Sequence, residues 1–139
     1  NKFPMNDLLV LYLYPLEKEG ILVDRASINI DKEINSFYVV EHDHNIIGTV
    51  ALYHFKDIIE IASFAIHDKY KNLGYGKKLL KFCEQTALAK KIKNLFILTT
   101  QSEHWFIENN FKLSDKKIMP DERKKTYTSE RNSKYFTTN

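Results

Sequence analysis

Two stretches of this 139-residue chain combine residue types that can do chemistry. The first is Lys71-Asn72-Leu73-Gly74-Tyr75-Gly76-Lys77, between an apolar run ending at Ile66 and a segment with helical spacing. Two of the chain's four glycines stand here, two residues apart. Glycine lets the backbone approach a ligand closely. The free N–H groups and positive dipole end of the following helix then bind an anion, and Lys71, Lys77 and Lys78 add positive charge. By itself a G-x-G before a helix reads equally as a tight strand-to-helix turn. No Gly-Lys-Ser/Thr follows, so this is not a Walker loop. It also follows the third strand rather than the first and lacks G-x-G-x-x-G, which disfavours a dinucleotide fold. The second stretch is Ile58-Ile59-Glu60-Ile61-Ala62. A carboxylate is out of place there unless it is paired or functional. Partial burial would raise its pKa toward the range useful for taking a proton from an ammonium group, making Glu60 a candidate general base. The alternative is an edge carboxylate paired with a lysine.

Other reactive side chains read more plainly. Cys83 lies on the apolar stripe of a helix and is expected in the core, not as an acyl-carrying nucleophile. His42, His44, His54, His67 and His104 have no metal-ligand spacing, so no metal site is expected. His42 and His44 flank a turn and should be exposed. Trp105 and Phe106 read as core. The basic run Lys116-Lys117 and Arg123-Lys124-Lys125 is interrupted by Asp115, Asp121 and Glu122, and reads as a solvated face rather than a nucleic-acid surface. The mild net charge of +3 favours an anionic ligand only weakly.

The elements that must position these residues follow from periodicity. A helix opens at Asn6 or Asp7 and carries Leu8, Leu9, Leu11 and Tyr12 until Pro15 interrupts it. Gly20 marks a turn, and a second helix spans Ser27 to Asn35. Phe37 to Glu41 and Ile46 to Tyr53 form a hairpin about Asp43, His44 and Asn45. Ile58 to Ile66 is apolar on both faces, which places it centrally. A loop runs from Asp68 to Leu73. Gly74 to Lys91 is a helix with Leu79, Leu80, Cys83, Ala87 and Leu88 inward. Leu95 to Thr99 is a strand, Glu103 to Glu108 a short helix, and Phe111 to Leu113 and Arg131 to Phe136 are final strands. The result is an α/β domain, a central mixed sheet flanked by helices. The length and the 43% hydrophobic content suit one domain, 1–139. No apolar run reaches the roughly 18 residues of a membrane span. No secretory signal is visible, and the lone cysteine fits a reducing compartment, so a cytoplasmic protein is expected.

The pattern of strand, basic or Gln residue, x-x-G-x-G/A and amphipathic helix resembles the acetyl-CoA pyrophosphate loop of GNAT N-acetyltransferases. The resemblance sharpens toward the acetyltransferase domain of N-acetylglutamate synthases. Four stretches carry it: Pro15 to Arg25; Glu60 to His67, running into the loop; Leu95 to Thr100 with His104-Trp105-Phe106 and Asn110-Phe111; and Met119-Pro120, Arg123, Tyr127 and Arg131 to Lys134. They span nearly the whole chain in the family's order.

The resemblance implies a GNAT fold and acetyl-CoA as co-substrate, with no metal. Asn72, Leu73, Gly74, Tyr75, Gly76 and Lys77 would hold the pyrophosphate. Ser63, Phe64, Ala65 and Ile66 would pair through their backbone with the pantetheine arm. Lys71 stands where the family usually has Arg or Gln, keeping the charge but not the hydrogen-bond geometry. Arg25, Arg131 and Ser133 match residues that hold the side-chain carboxylate of glutamate, and the Val23 amide would bind its α-carboxylate. Such a dicarboxylate suits arginine's bidentate geometry. The neutral amine would attack the thioester directly, with Glu60 as base and Thr99 or Thr100 as candidate proton donors to the thiolate. The implied reaction is N-acetylglutamate synthesis, a step of arginine biosynthesis. Alternatives are another amino acid, a protein N-terminus or a polyamine as acceptor, or a noncatalytic acyl-CoA-binding module. No membrane or nucleic-acid partner is implied, and the reading is compatible with a homo-oligomer. The amino-acid-kinase-like domain that many of these synthases carry is not in this sequence, which reads as an excised domain or a short form. The first strand of a GNAT domain is expected to be missing or degenerate before Asn6.

Overall fold

Strands form where β-branched and aromatic residues run between turn residues, and they carry most of the core. The computed structural model describes residues 2–3, 9–10, 36–42, 44–127 and 133–138. The strands are β1 (Lys2–Phe3), β2 (Leu9–Val10), β3 (Phe37–His42), β4 (Asn45–Phe55), β5 (Ile58–Ile66), β6 (Asn94–Thr99), β7 (Lys112–Leu113) and β8 (Lys134–Thr137). The helices are α1 (Tyr75–Ala89), α2 (Glu103–Glu108) and α3 (Asp121–Lys124), with short 3-10 turns at Asp68–Tyr70 and Lys116–Ile118. These elements fall into two compact units, Asn1–Leu52 with Ser63–Gln85, and Tyr53–Ala62 with Thr86–Asn139. In the first the strand order is β1-β2-β3-β4-β5, and in the second β4-β5-β6-β8-β7.

In the first unit β3 and β4 pair antiparallel from Phe37↔Ala51 to His42↔Asn45, with a register shift between Val40 and Glu41. The tight connection puts His44 at φ +66, a left-handed turn position. β4 is buried at six successive positions, Ile47 to Leu52, so both of its faces are covered, and Val39 of β3 is buried as well. α1 adds Leu79, Leu80, Phe82 and Cys83, and the Phe82 ring meets Tyr38 edge-on at 5.0 Å. Gly48 is required by close packing: a Cβ there would lie 2.7 Å from Ile66 Cδ1 and 2.9 Å from the Ala65 carbonyl.

The second unit is a mixed sheet. β5 and β6 run parallel over Ile58↔Asn94, Ile59↔Leu95 and Glu60↔Phe96. β8 is antiparallel to both β6 and β7. The Thr138 hydroxyl accepts from the Leu95 amide at 2.9 Å. Phe96, Met119 and Tyr135 form a buried cluster lined by Phe55, Ile58, Leu98 and Tyr127.

Helix ends depart from the periodic pattern for local reasons. α1 stops at Ala89 rather than Lys91, because Lys91 turns left-handed at φ +62 while the Ile92 amide donates to Ala87 O and Lys91 to Leu88 O. This pair of bonds closes a helix C-terminus. Leu88 falls outside the apolar stripe and is 62% exposed, correcting its expected inward place. α2 ends the same way, with Asn110 at φ +74 and the Phe111 amide donating to Phe106 O. The two rings then meet at 5.1 Å.

Most strands lie where periodicity puts them, and β5 is central as expected, between β4 and β6. The helix expected over Leu8 to Tyr12 is not formed at Leu9–Val10, which is a strand pairing Leu9↔Val40 and Val10↔Val39. The unbroken apolar run Leu8 to Tyr14 carries no period of its own, and the neighbouring strand decides. Lys2–Phe3 pairs with this strand as β1. The helix expected from Ser27 to Asn35 and the turn at Gly20 lie outside the described residues. Among the described residues no helix is long and apolar enough to cross a membrane. Gly48→Ala should lower stability by about 1–3 kcal/mol, the usual cost of overpacking; urea denaturation measures it, and a loss below the experimental error would contradict the close approach of β4 to the end of β5.

Candidate functional site

In the first unit the anion-binding candidate is built at the end of β5. Ser63 takes φ +52, a left-handed break inside the strand. Phe64 and Ile66 are half-buried and Ala65 is exposed. The His67 amide donates to Ile47 O at 2.7 Å, tying the end of β5 to β4. His67 Nδ1 then accepts from the Lys69 amide at 3.1 Å and starts the 3-10 turn. Asn72 at φ +63 and Gly74 at φ +90 reverse the chain into α1. Asparagine tolerates that conformation and glycine adopts it freely.

The opening bond of α1 runs from the Lys78 amide to Gly74 O at 3.2 Å, so the amides of Tyr75, Gly76 and Lys77 precede it. The first turn carries no acidic residue, and Lys77 and Lys78 are exposed. These features fit an anionic group. Lys71 instead pairs with Asp68 at 3.0 Å, both exposed. The hydrogen bond and charge of Lys71 hold the Asp68 carboxyl below its usual pKa. Aromatic rings brace the loop: His42 lies 5.7 Å from Tyr75 and 6.3 Å from Tyr70, and Tyr70 lies 6.3 Å from Tyr75. The expected exposure of His42 is therefore corrected to half-buried. The Tyr residues of the loop were the signal for this cluster.

In the second unit Glu60 is buried on β5, 3% exposed, and Arg123 Nε donates to its Oε1 at 2.8 Å. Of the two readings of this residue, the paired one describes its surroundings, but the partner is an arginine and the strand is central. Arg123 itself corrects the reading of its basic run as a solvated face, since its side chain is only 17% exposed. Its neighbours do face outward, with Lys124 Nζ donating to Lys117 O at 2.6 Å. In the sequence Arg123 is set apart from this run by its place in the stretch Met119-Pro120, Arg123 and Tyr127 that carries the family resemblance.

Ser133 is buried, its Oγ 3.4 Å from the Tyr127 hydroxyl, which donates to Ser133 O at 3.3 Å. Lys116 Nζ donates to the same hydroxyl at 2.8 Å and lies 4.9 Å from the ring centroid. Burial pushes the Tyr127 phenol up, but the hydrogen bonds of Lys116 and Ser133 and the charges of Lys116 and Arg123 outweigh it, leaving its pKa lowered. Burial and the Glu60 charge both raise that of Tyr135. The Thr99 hydroxyl accepts from the Ser102 amide at 3.1 Å and shapes the turn into α2, and Thr100 is exposed. Cys83 is fully buried, and desolvation drives its thiol pKa strongly upward. Val23, Arg25 and Arg131 lie outside the described residues.

Comparison with known proteins places this geometry. The acetyltransferase (GNAT) family model matches residues 5–106. An amino-acid acetyltransferase of Buchnera aphidicola subsp. Acyrthosiphon pisum is 40% identical over 134 residues, 94% of this chain and 30% of its own length. The N-acetylglutamate synthase of Neisseria gonorrhoeae, solved with coenzyme A and N-acetyl-glutamate, superposes with a TM-score of 0.76 at 35% identity, covering 90% of this chain and 30% of its own. A GNAT-family acetyltransferase from Staphylococcus aureus shares the fold at a TM-score of 0.74 and 18% identity, covering 93% of this chain and 96% of its own. The chain thus spans about 30% of the length of the curated relatives it matches.

Replacing Lys116 by Met removes two of the interactions that lower the Tyr127 pKa, so the phenol should titrate at higher pH than in the unaltered protein. Carbon-13 NMR of ring-labelled tyrosine, assigned with Tyr127→Phe, follows it; an unmoved titration would show that Lys116 does not govern this hydroxyl.

Proposed function

The chain belongs to the acetyltransferase (GNAT) family, and from that premise we propose that it transfers an acetyl group from acetyl-CoA to the α-amino group of an amino acid, glutamate. The observation that carries the reading is Glu60, a carboxylate buried in a central strand beside an arginine. The 40% identity to an amino-acid acetyltransferase supports an amino-acid acceptor, and the likeness to a synthase holding N-acetyl-glutamate supports glutamate. The reading takes residues 1–139 as one acetyltransferase domain.

Acetyl-CoA, when bound, supplies the acetyl group as an activated thioester. The turn at Asn72 to Gly74 and the amides of Tyr75, Gly76 and Lys77 bind pyrophosphate oxygens. Lys77 adds charge, as does Lys71, which is paired with Asp68. Ser63 to Ile66 offer backbone groups to the pantetheine arm, and an amide of β5 polarises the thioester carbonyl. Glu60 takes the proton from the α-ammonium, directly or through a water. Arg25, Arg131 and Ser133 hold the side-chain carboxylate, and the Val23 amide binds the α-carboxylate. Thr99 accepts from Ser102 and keeps its own O–H to donate, so it and Thr100 are the proton donors proposed for the departing thiolate.

Coenzyme A release from acetyl-CoA, measured with each common amino acid in turn, tests this. Glutamate should be acetylated fastest, and Arg131→Ala should abolish that preference. Glu60→Gln should lower kcat by roughly 10²–10⁴-fold, the usual weight of a general base, while acetyl-CoA affinity by calorimetry stays within a factor of about two. Turnover with no amino acid, or an unchanged rate and pH profile in Glu60→Gln, would refute the reading.

A further inference from the structure

Glu60 and Arg123 stand 63 residues apart in sequence, yet they form an ion pair whose side chains are only 4% and 17% exposed. Arg123 is anchored on several sides. It begins from α3, where the Arg123 and Lys124 amides both donate to Pro120 O. Its Nη1 donates to Thr126 Oγ1 at 2.9 Å, and that hydroxyl donates to Arg123 O at 3.1 Å. Met119, just before α3, is buried with Phe96 and Tyr135. The guanidinium is therefore a fixed fork rather than a tethered surface charge.

Stability does not account for such a pair. Desolvating two charges cancels most of their attraction, and well-packed apolar side chains serve as well. The strand offers that option on both sides of the position, with Ile59 and Ile61 buried. The pair makes sense as a device for the carboxylate. We propose that Arg123 is a positioning residue, holding the Glu60 carboxylate as an anion in one orientation so that a negative charge meets the incoming α-ammonium. The proposal rests on the reading of Glu60 as the base.

The sign follows from the surroundings. Burial disfavours the charged carboxylate, and a cation at contact distance favours it. Arg123 faces Glu60 from α3, Tyr135 faces it from β8, and β6 presents Phe96 opposite. Tyr135, with its raised pKa, stays neutral in the working range. Removing Arg123 takes that cation away while the burial remains, so the carboxylate takes up its proton at higher pH and the base is lost earlier as pH falls.

The test compares Arg123→Met and Arg123→Lys with the unaltered chain, by carbon-13 NMR titration of the Glu60 carboxyl, assigned with Glu60→Gln, and by the pH profile of kcat/KM. Arg123→Met should move the Glu60 titration and the acid limb of the profile upward together, by roughly 1 to 3 pH units. Arg123→Lys should restore part of the shift, and the KM for acetyl-CoA should not change in either. A Glu60 titration that neither variant moves, or a rate lowered equally at every pH, would overturn the assignment. If Arg123→Met does not fold, Arg123→Lys decides alone: an upward shift supports the proposal and no shift overturns it. Absence of turnover in the unaltered chain would defeat the functional reading, while the NMR titration would still decide the role of Arg123.

Discussion

A carboxylate in the middle of an apolar strand stays charged only if a cation or hydrogen-bond donors are brought to it. Glu60 imposes that requirement on the second unit, and much of its irregular structure answers to it. The cation comes from a four-residue helix after Pro120. Met119 enters the cluster with Phe96 and Tyr135, and so pins that helix to β6 and β8. Tyr127 lines the same cluster and carries the hydroxyl shared by Lys116 and Ser133. Truncating one member of a buried charged pair leaves the other unsatisfied, which costs far more than the pair contributes. The described residues 114–127, which follow β7, are therefore constrained despite containing little regular structure.

The first unit meets a different constraint, the exposure of backbone amides to an anion. A left-handed Ser63, the amide of His67 bound to Ile47 O, and left-handed Asn72 and Gly74 carry the chain from a strand into a helix whose first amides precede its opening bond. Close approach at Gly48 holds the end of β5 against β4. Rings of His42, Tyr70 and Tyr75 then support the loop. Lys77 and Lys78 in the first turn supply charge that needs no fixed geometry, whereas the amides depend on the loop that precedes them.

Much of this was legible in the residues. β5 was bounded at Ile58 and Ile66 and α2 at Glu103 and Glu108, because apolar period and turn residues agreed there. Gly74 and Gly76 marked the loop. Other features were not legible, each for a physical reason. Leu9–Val10 belongs to a strand because β3 offers it a partner. Leu88 looks inward by spacing, but α1 ends one residue later and the side chain faces solvent. Arg123 looks like one of several surface cations, and its burial and its contact with Glu60 separate it from Lys124 and Lys125.

What the residues determined by themselves is the local chemistry. Side-chain period, left-handed positions suited to Gly and Asn, and a Gly-x-Gly turn into a basic helix act within a few residues of chain, so their consequences can be read along it. The tertiary structure alone decided pairings across long separations: which cation neutralises Glu60, which phenol meets Ser133, and which rings support the loop. Ion pairs and hydrogen bonds act over a few ångströms of space, and those distances exist only once the strands and short helices have brought remote residues together.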